Sequence, residues 1–171
     1  MDPASVILGL VTAQRVGELL LSARNARRLI ADGAVEAAPG HYPVMVVLHA
    51  AWLVGLWIEA RGWPDAVLFT AYLGVQVLRV WVLASLGTRW TTRIIVQPGW
   101  SLVNKGPYRY LAHPNYLVVV LEIALLPLMF GLIWYAAVFS ILNAALLAVR
   151  IHAENEALGR STSLAHRSEV R

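Results

Sequence analysis

The sequence predicts an all-α integral membrane protein of about five transmembrane helices, with a polar loop and a C-terminal helix extension on one face. Three observations lead there. Of 171 residues, 58% are hydrophobic and only 14% charged, against roughly 45–50% and about 25% in ordinary soluble domains. The apolar residues fall in long blocks rather than in short amphipathic stripes. The basic residues cluster in the segments between blocks, on one side of the expected membrane. With no cysteine, disulfide frameworks, zinc–cysteine sites, iron–sulfur clusters and thiol nucleophiles are excluded.

Taken in order, the first block spans 6–21 and is interrupted by Gln14, Arg15 and Glu18. It lacks the basic n-region and small-residue cleavage site of a signal peptide, and Arg15 and Glu18, three apart, can pair on one helix face. The second block, 44–58, carries His49, expected to be an interhelical hydrogen-bond partner, as is Gln14. The third, 66–86, carries Gln76 and Arg79. The run 116–149 is too long for one helix and is divided by Pro127 and Gly131 into a two-helix hairpin, with Glu122 in its first arm. A crossing needs about 20 residues, as few as about 17, for some 30 Å of hydrocarbon. Arg79 and Glu122 are expected either to clamp helices together or to line a substrate cavity, because an ionisable residue at membrane depth is costly unless paired or cavity-facing. The tail from Gly159 onward is polar and expected to be mobile.

Charge orients the chain. Arg24, Arg27 and Arg28 follow the first helix; Arg89, Arg93, Lys105 and Arg109 lie between the third and fourth; Arg150, Arg160, Arg167 and Arg171 follow the fifth. Eleven of the fourteen basic residues thus fall on one side, which the positive-inside rule makes cytoplasmic. The N-terminus is then outside, with Trp57, Trp63, Trp134 and Tyr135 near the outer boundary as an aromatic belt. On such a protein the net charge of +4 reports topology rather than nucleic-acid binding.

The chemistry is expected between residues 88 and 113 and just past the last span. A 26-residue loop with four basic side chains, a β-like stretch at 92–96 and Gly-Pro turns is uncommon unless functional. It ends in Gly106-Pro107-Tyr108, then Leu111-Ala112-His113-Pro114-Asn115-Tyr116. Pro114 suits the first turn of a helix and pushes His113 toward extended geometry at its mouth. Arg150 and Glu154, four apart, share a face of a helical continuation on the same side.

This pairing of Gly-x-Tyr-x-x-x-x-His-Pro-x-Tyr with Arg-x-x-x-Glu resembles the isoprenylcysteine carboxyl methyltransferase family of small membrane enzymes that use S-adenosyl-L-methionine. The resemblance covers roughly 93–158, here taken as the cofactor-binding region of a single membrane domain, 1–171. It implies cofactor contacts at Trp100, Ser101, Leu102, Val103, Tyr108, His113, Pro114, Asn115, Tyr116 and Glu154, with Gln97 matching an upstream glutamine across a shorter loop. It makes Arg150 the substrate-binding and catalytic residue, and it implies no metal. Two departures, Ala112 where many members have arginine and Asn155 where many have a second glutamate, point away from a prenylcysteine acceptor. Together with Arg24-Asn25-Ala26-Arg27-Arg28 and Gly40-His41-Tyr42-Pro43, the chain resembles a short bacterial branch, implying a bacterial inner membrane. Members of that branch methylate hydroxyls of alkylpyrone and alkylresorcinol lipids.

The residue chemistry agrees. A sulfonium, an ammonium and a carboxylate call for an anion, hydrogen-bond donors and an aromatic wall. Glu154, His113 with the N–H groups opening helix four, and Tyr108 with Tyr116 supply that set. The expected function is methyl transfer to an oxygen of an amphipathic lipid that enters from the bilayer. The alternatives are a prenylcysteine carboxyl methyltransferase, a phospholipid N-methyltransferase, a membrane NADPH-dependent reductase and a non-catalytic scaffold or transporter.

Overall fold

In the computed structural model, residues 2–97, 100 and 103–169 are described, with side chains as far as residue 157. Five helices form the molecule: α1 (Pro3–Ala31), α2 (Tyr42–Glu59), α3 (Ala66–Leu86), α4 (Pro114–Leu128) and α5 (Ile133–Glu169). A two-residue strand, β1 (Val35–Glu36), pairs antiparallel with β2 (Ile95–Val96). The chain is an all-α, multi-pass membrane protein. Four helices are long and apolar enough to cross a membrane, and α4 is a shorter apolar helix. At 15 residues it rises about 22 Å, so the expected fifth crossing is shorter than its neighbours.

Helix α1 outlasts its hydrophobic block by ten residues, to Ala31. Its polar last turns are Ala-, Leu- and Arg-rich, good helix formers, and they are anchored from inside. Buried Asn25 donates to the carbonyls of Gly87 and Trp90, and Ser22 binds Thr92. These bonds tie the α1 end to the loop after α3, and β1–β2 closes the same end. The β-like 92–96 stretch thus contributes one short strand, flanked by an Arg93–Glu36 ion pair at 2.9 Å.

The opposite end is fixed by Asp2, which accepts from the Gly62 N–H, and by the Asp65 N–H, which donates to the Met129 carbonyl. Asp65 also caps α3, its carboxylate accepting from the N–H groups of Val67 and Leu68 at 3.0 and 2.9 Å. Asp65→Ala is expected to cost about 1 kcal/mol, read as a lower melting temperature. Trp63 and Trp134 are exposed there, while the half-buried Tyr135 turns its hydroxyl inward, donating to the Trp52 carbonyl at 2.7 Å. The space is left by Gly55, where a Cβ would overlap that hydroxyl.

Helix α4 packs against both α3 and α5. Its Ile123 and Leu126 join Leu8, Trp52, Leu56 and Tyr72 in the main apolar core. Pro127 lies in its last turn and Gly131 adopts φ +74° before α5 begins, which makes the hairpin expected from the sequence. Helix α5 continues through Glu169, so the polar tail extends the helix.

Four intramembrane charges close into an alternating ring across α1, α3 and α4. Arg15 donates to Glu18 and Glu122 at 2.9 and 2.8 Å, and Arg79 donates to the same two carboxylates at 2.8 and 2.6 Å. Gln14 bridges Glu18 and Gln76, and Gln76 donates to Glu122. Arg79 and Glu122 therefore clamp helices, and they also line the cavity that lies among the spanning helices; Gln14 makes the interhelical bond expected of it. His49 does not: its Nδ1–H donates to the Met45 carbonyl one turn back on its own helix.

Candidate active site

Two cavities lie end to end. One, of about 800 Å³, opens among the loop after α3, the start of α4 and the 150–155 part of α5; the other, of about 270 Å³, lies among the spanning helices, where mostly apolar surface is joined by the charged ring of Arg15, Glu18, Arg79 and Glu122. Trp90, Asn115, Tyr116 and Arg150 line both, so these four mark the junction.

The larger cavity gathers most of the residues singled out in the sequence. Gln97, Trp100, Val103 and Tyr108 line it from the loop, His113, Asn115 and Tyr116 from the α4 start, and Arg150 and Glu154 from α5. Pro114 does not line it; it is buried as the first residue of α4. Ser101 and Leu102 lie outside the described residues. Ala112 and Asn155, the two departures, line this larger cavity and not the intramembrane one.

Local structure explains the placement. Gly106 sits at φ +57° against α3, where a Cβ would overlap the Ser85 hydroxyl, and opens the 3-10 turn Gly106–Arg109 that carries Tyr108. Only glycine accepts that conformation at so close an approach. His113 has φ −131° and ψ 62°, out of the helical region but short of full extension. Its carbonyl receives the Tyr116 N–H, and Pro114 has none, so Asn115 alone offers an N–H among the first three residues of α4.

The polar groups are linked through Tyr116. Its hydroxyl donates to Glu154 and accepts from Arg150 Nε at 3.0 Å. Arg150 and Glu154 are thus joined by a phenol between them. The His113 ring stacks on Tyr116 with centroids 5.1 Å apart, and its Nδ1 lies 4.0 Å from Glu154. Arg89 lies over the Trp100 ring at 4.4 Å. Burial, reinforced by the Glu154 charge, pushes the Tyr108 phenol up, so Tyr108 stays neutral, a donor rather than an anion.

Two features mark the site as made for a ligand. Arg150 is 5% exposed, yet its other described bond is to the weak acceptor Met45 Sδ, and it has no ion pair among the described residues. A buried cation without an anion is costly, and an anionic ligand would complete it. Among the described residues the Gln97 carboxamide oxygen is buried without a partner, and one Glu154 oxygen is engaged.

Residues 67–160 match the isoprenylcysteine carboxyl methyltransferase (ICMT) family, a span that includes the whole 3-10 turn, α4 and the Arg150–Glu154 turn. The chain belongs to that family. It is a membrane methyltransferase. It is 38% identical over 160 residues to the uncharacterized protein YpbQ of Bacillus subtilis, covering 90% of this chain and 95% of that one. An uncharacterized protein of Haemophilus influenzae is 26% identical over 161 residues, covering 90% and 94%. No solved structure matches. The intramembrane cavity of this ICMT-family protein was not visible from sequence motifs, because its walls come from all five helices and the loop after α3. Asn143, the one carboxamide in α5's apolar stretch, was the available signal.

Proposed function

We propose that this protein is an S-adenosylmethionine-dependent O-methyltransferase whose acceptor is the ionised hydroxyl of an amphipathic lipid, an alkylpyrone or alkylresorcinol type. One observation carries the reading: a buried guanidinium, without an acidic partner among the described residues, stands where a largely apolar intramembrane cavity meets a polar one. The apolar cavity suits a lipid chain, the polar one a water-soluble donor, and the cation an oxyanion between them.

The larger cavity fits the cofactor. Its volume is within the range of small-molecule sites. The free Glu154 oxygen suits an ammonium, and the Asn115 N–H with His113 suits a carboxylate. The rings of Tyr108 and Tyr116 suit the adenine or the sulfonium. When bound, the cofactor supplies a methyl group on a sulfonium, passed to the acceptor oxygen in line as the sulfur–carbon bond breaks. The protein's share is alignment and charge. Arg150 favours the deprotonated acceptor and orients it through its planar fork. Tyr116, held by both Glu154 and Arg150, couples the two subsites. The basic-residue bias supports a cytoplasmic position for this face, in a bacterial inner membrane.

The test is methyl transfer from methyl-labelled S-adenosylmethionine by detergent-purified protein. Label is expected on a long-chain alkylresorcinol or hydroxypyrone and not on a farnesylated cysteine analogue. Label on the farnesyl compound alone would assign a carboxylate acceptor instead, for which Arg150 is equally suited. Glu154→Ala is expected to lower cofactor affinity at least tenfold, since it removes the carboxylate and the anchor of Tyr116. Calorimetry showing unchanged affinity in a variant with a normal melting profile would remove Glu154 from the site.

A further inference from the structure

Helix α5 presents Asn143, Leu146, Leu147 and Arg150 to the intramembrane cavity, the 3-4-7 spacing of one helical face. Two turns therefore separate Asn143 from Arg150, about 10 Å along the cavity. Asn143 is only 2% exposed, and its carboxamide makes no hydrogen bond with any described residue. On α2, His49 lines the same cavity. Its Nδ1–H is committed to the Met45 carbonyl, which leaves Nε2 as a bare acceptor. Arg15, Glu18, Arg79 and Glu122 line this cavity too but are engaged with one another; neither Asn143 nor His49 belongs to that ring, and neither is used by the methyl-transfer site.

Buried carboxamides are ordinarily hydrogen-bonded. A wholly hydrocarbon chain in this cavity would leave both groups facing carbon. Resting on the reading of the cavity as the acceptor's chain site, we infer that Asn143 and His49 form a second polar subsite that selects a lipid with a hydroxyl partway along its chain. The hydroxyl accepts from the Asn143 amide and donates to His49 Nε2, so each of the two side chains gains a partner. The hydroxyl lies about 10 Å from the methylated oxygen, the separation of Asn143 from Arg150. The substrate class is thus narrowed from amphipathic lipids to lipids with two oxygen functions separated by apolar chain.

The experiment compares two 5-alkylresorcinols of equal chain length, one plain and one with a mid-chain hydroxyl. Affinity is read from the rise in melting temperature with lipid concentration. The hydroxylated lipid is expected to bind about tenfold tighter, the effect of one satisfied buried hydrogen bond. Asn143→Leu, of similar volume, is expected to abolish the preference while leaving cofactor affinity unchanged. Asn143→Ala serves the same purpose should the leucine variant misfold. Equal binding of the two lipids by the wild-type protein overturns the subsite, and so does a preference that survives in both variants. Because this readout needs no turnover, preferential binding without methyl transfer would leave the subsite standing and overturn the O-methyltransferase reading instead.

Discussion

Arg150→Met is expected to lower methyl transfer to a hydroxylated lipid by roughly 100- to 1,000-fold, the effect of removing one preorganised donor from a developing or resident oxyanion. Cofactor affinity is expected to change little. The reason is the division of labour around Tyr116. Its hydroxyl donates to Glu154 and accepts from Arg150, so losing the guanidinium leaves the Tyr116–Glu154 bond in place. Methionine keeps much of the apolar volume and removes only charge and donors. Arg150→Lys is expected to recover part of the activity, because it restores a cation without the planar fork. Single-turnover rates with calorimetric cofactor binding check both. Normal turnover by Arg150→Met would show that the acceptor is held elsewhere.

Glu122→Leu is expected to destabilise the protein by about 3–5 kcal/mol, as removal of one partner from a buried ion pair does. Glu122 is nearly inaccessible and accepts from Arg15, Arg79 and Gln76. Without it, two guanidiniums on α1 and α3 share one carboxylate, Glu18, inside the membrane. Arg79→Met in the same background is expected to restore part of the loss, since it removes the cation left uncompensated. Equilibrium unfolding in mixed detergent, read by tryptophan fluorescence, measures both. A loss below about 1 kcal/mol, the scale of an exposed pair, would mean that water reaches the ring.

This ring shows where sequence reading stops. Arg15 and Glu18 are three residues apart, and their pairing follows from helical spacing alone. Arg79 and Glu122 come from different helices, and no spacing rule says which helices touch. Nor does it say that each arginine bridges both glutamates. A polar residue such as His49 in an apolar run needs a partner, and the sequence points to one on another helix. The partner is the carbonyl one turn back, which any helix offers.

The end that holds the larger cavity was more legible. Glycine at φ > 0, proline at a helix start and aromatic residues at fixed offsets are local requirements, and local requirements are written in consecutive residues. The 106–116 segment could therefore be located, and Arg150 with Glu154 could be set on one helix face. That these two would meet through the Tyr116 phenol rather than as a surface pair was not available from either segment alone.

By itself the sequence determined a membrane-embedded helical protein, its breaks and the two motifs of a methyltransferase. Those follow from hydropathy, turn chemistry and residue spacing, which act over a few residues. Tertiary structure alone decided that Arg150 is buried with no anion beside it among the described residues, that two cavities share one wall, and that Asn143 faces the inner one. These depend on how the five helices pack, and packing sets burial, which sets what a charge or a carboxamide must find as its partner.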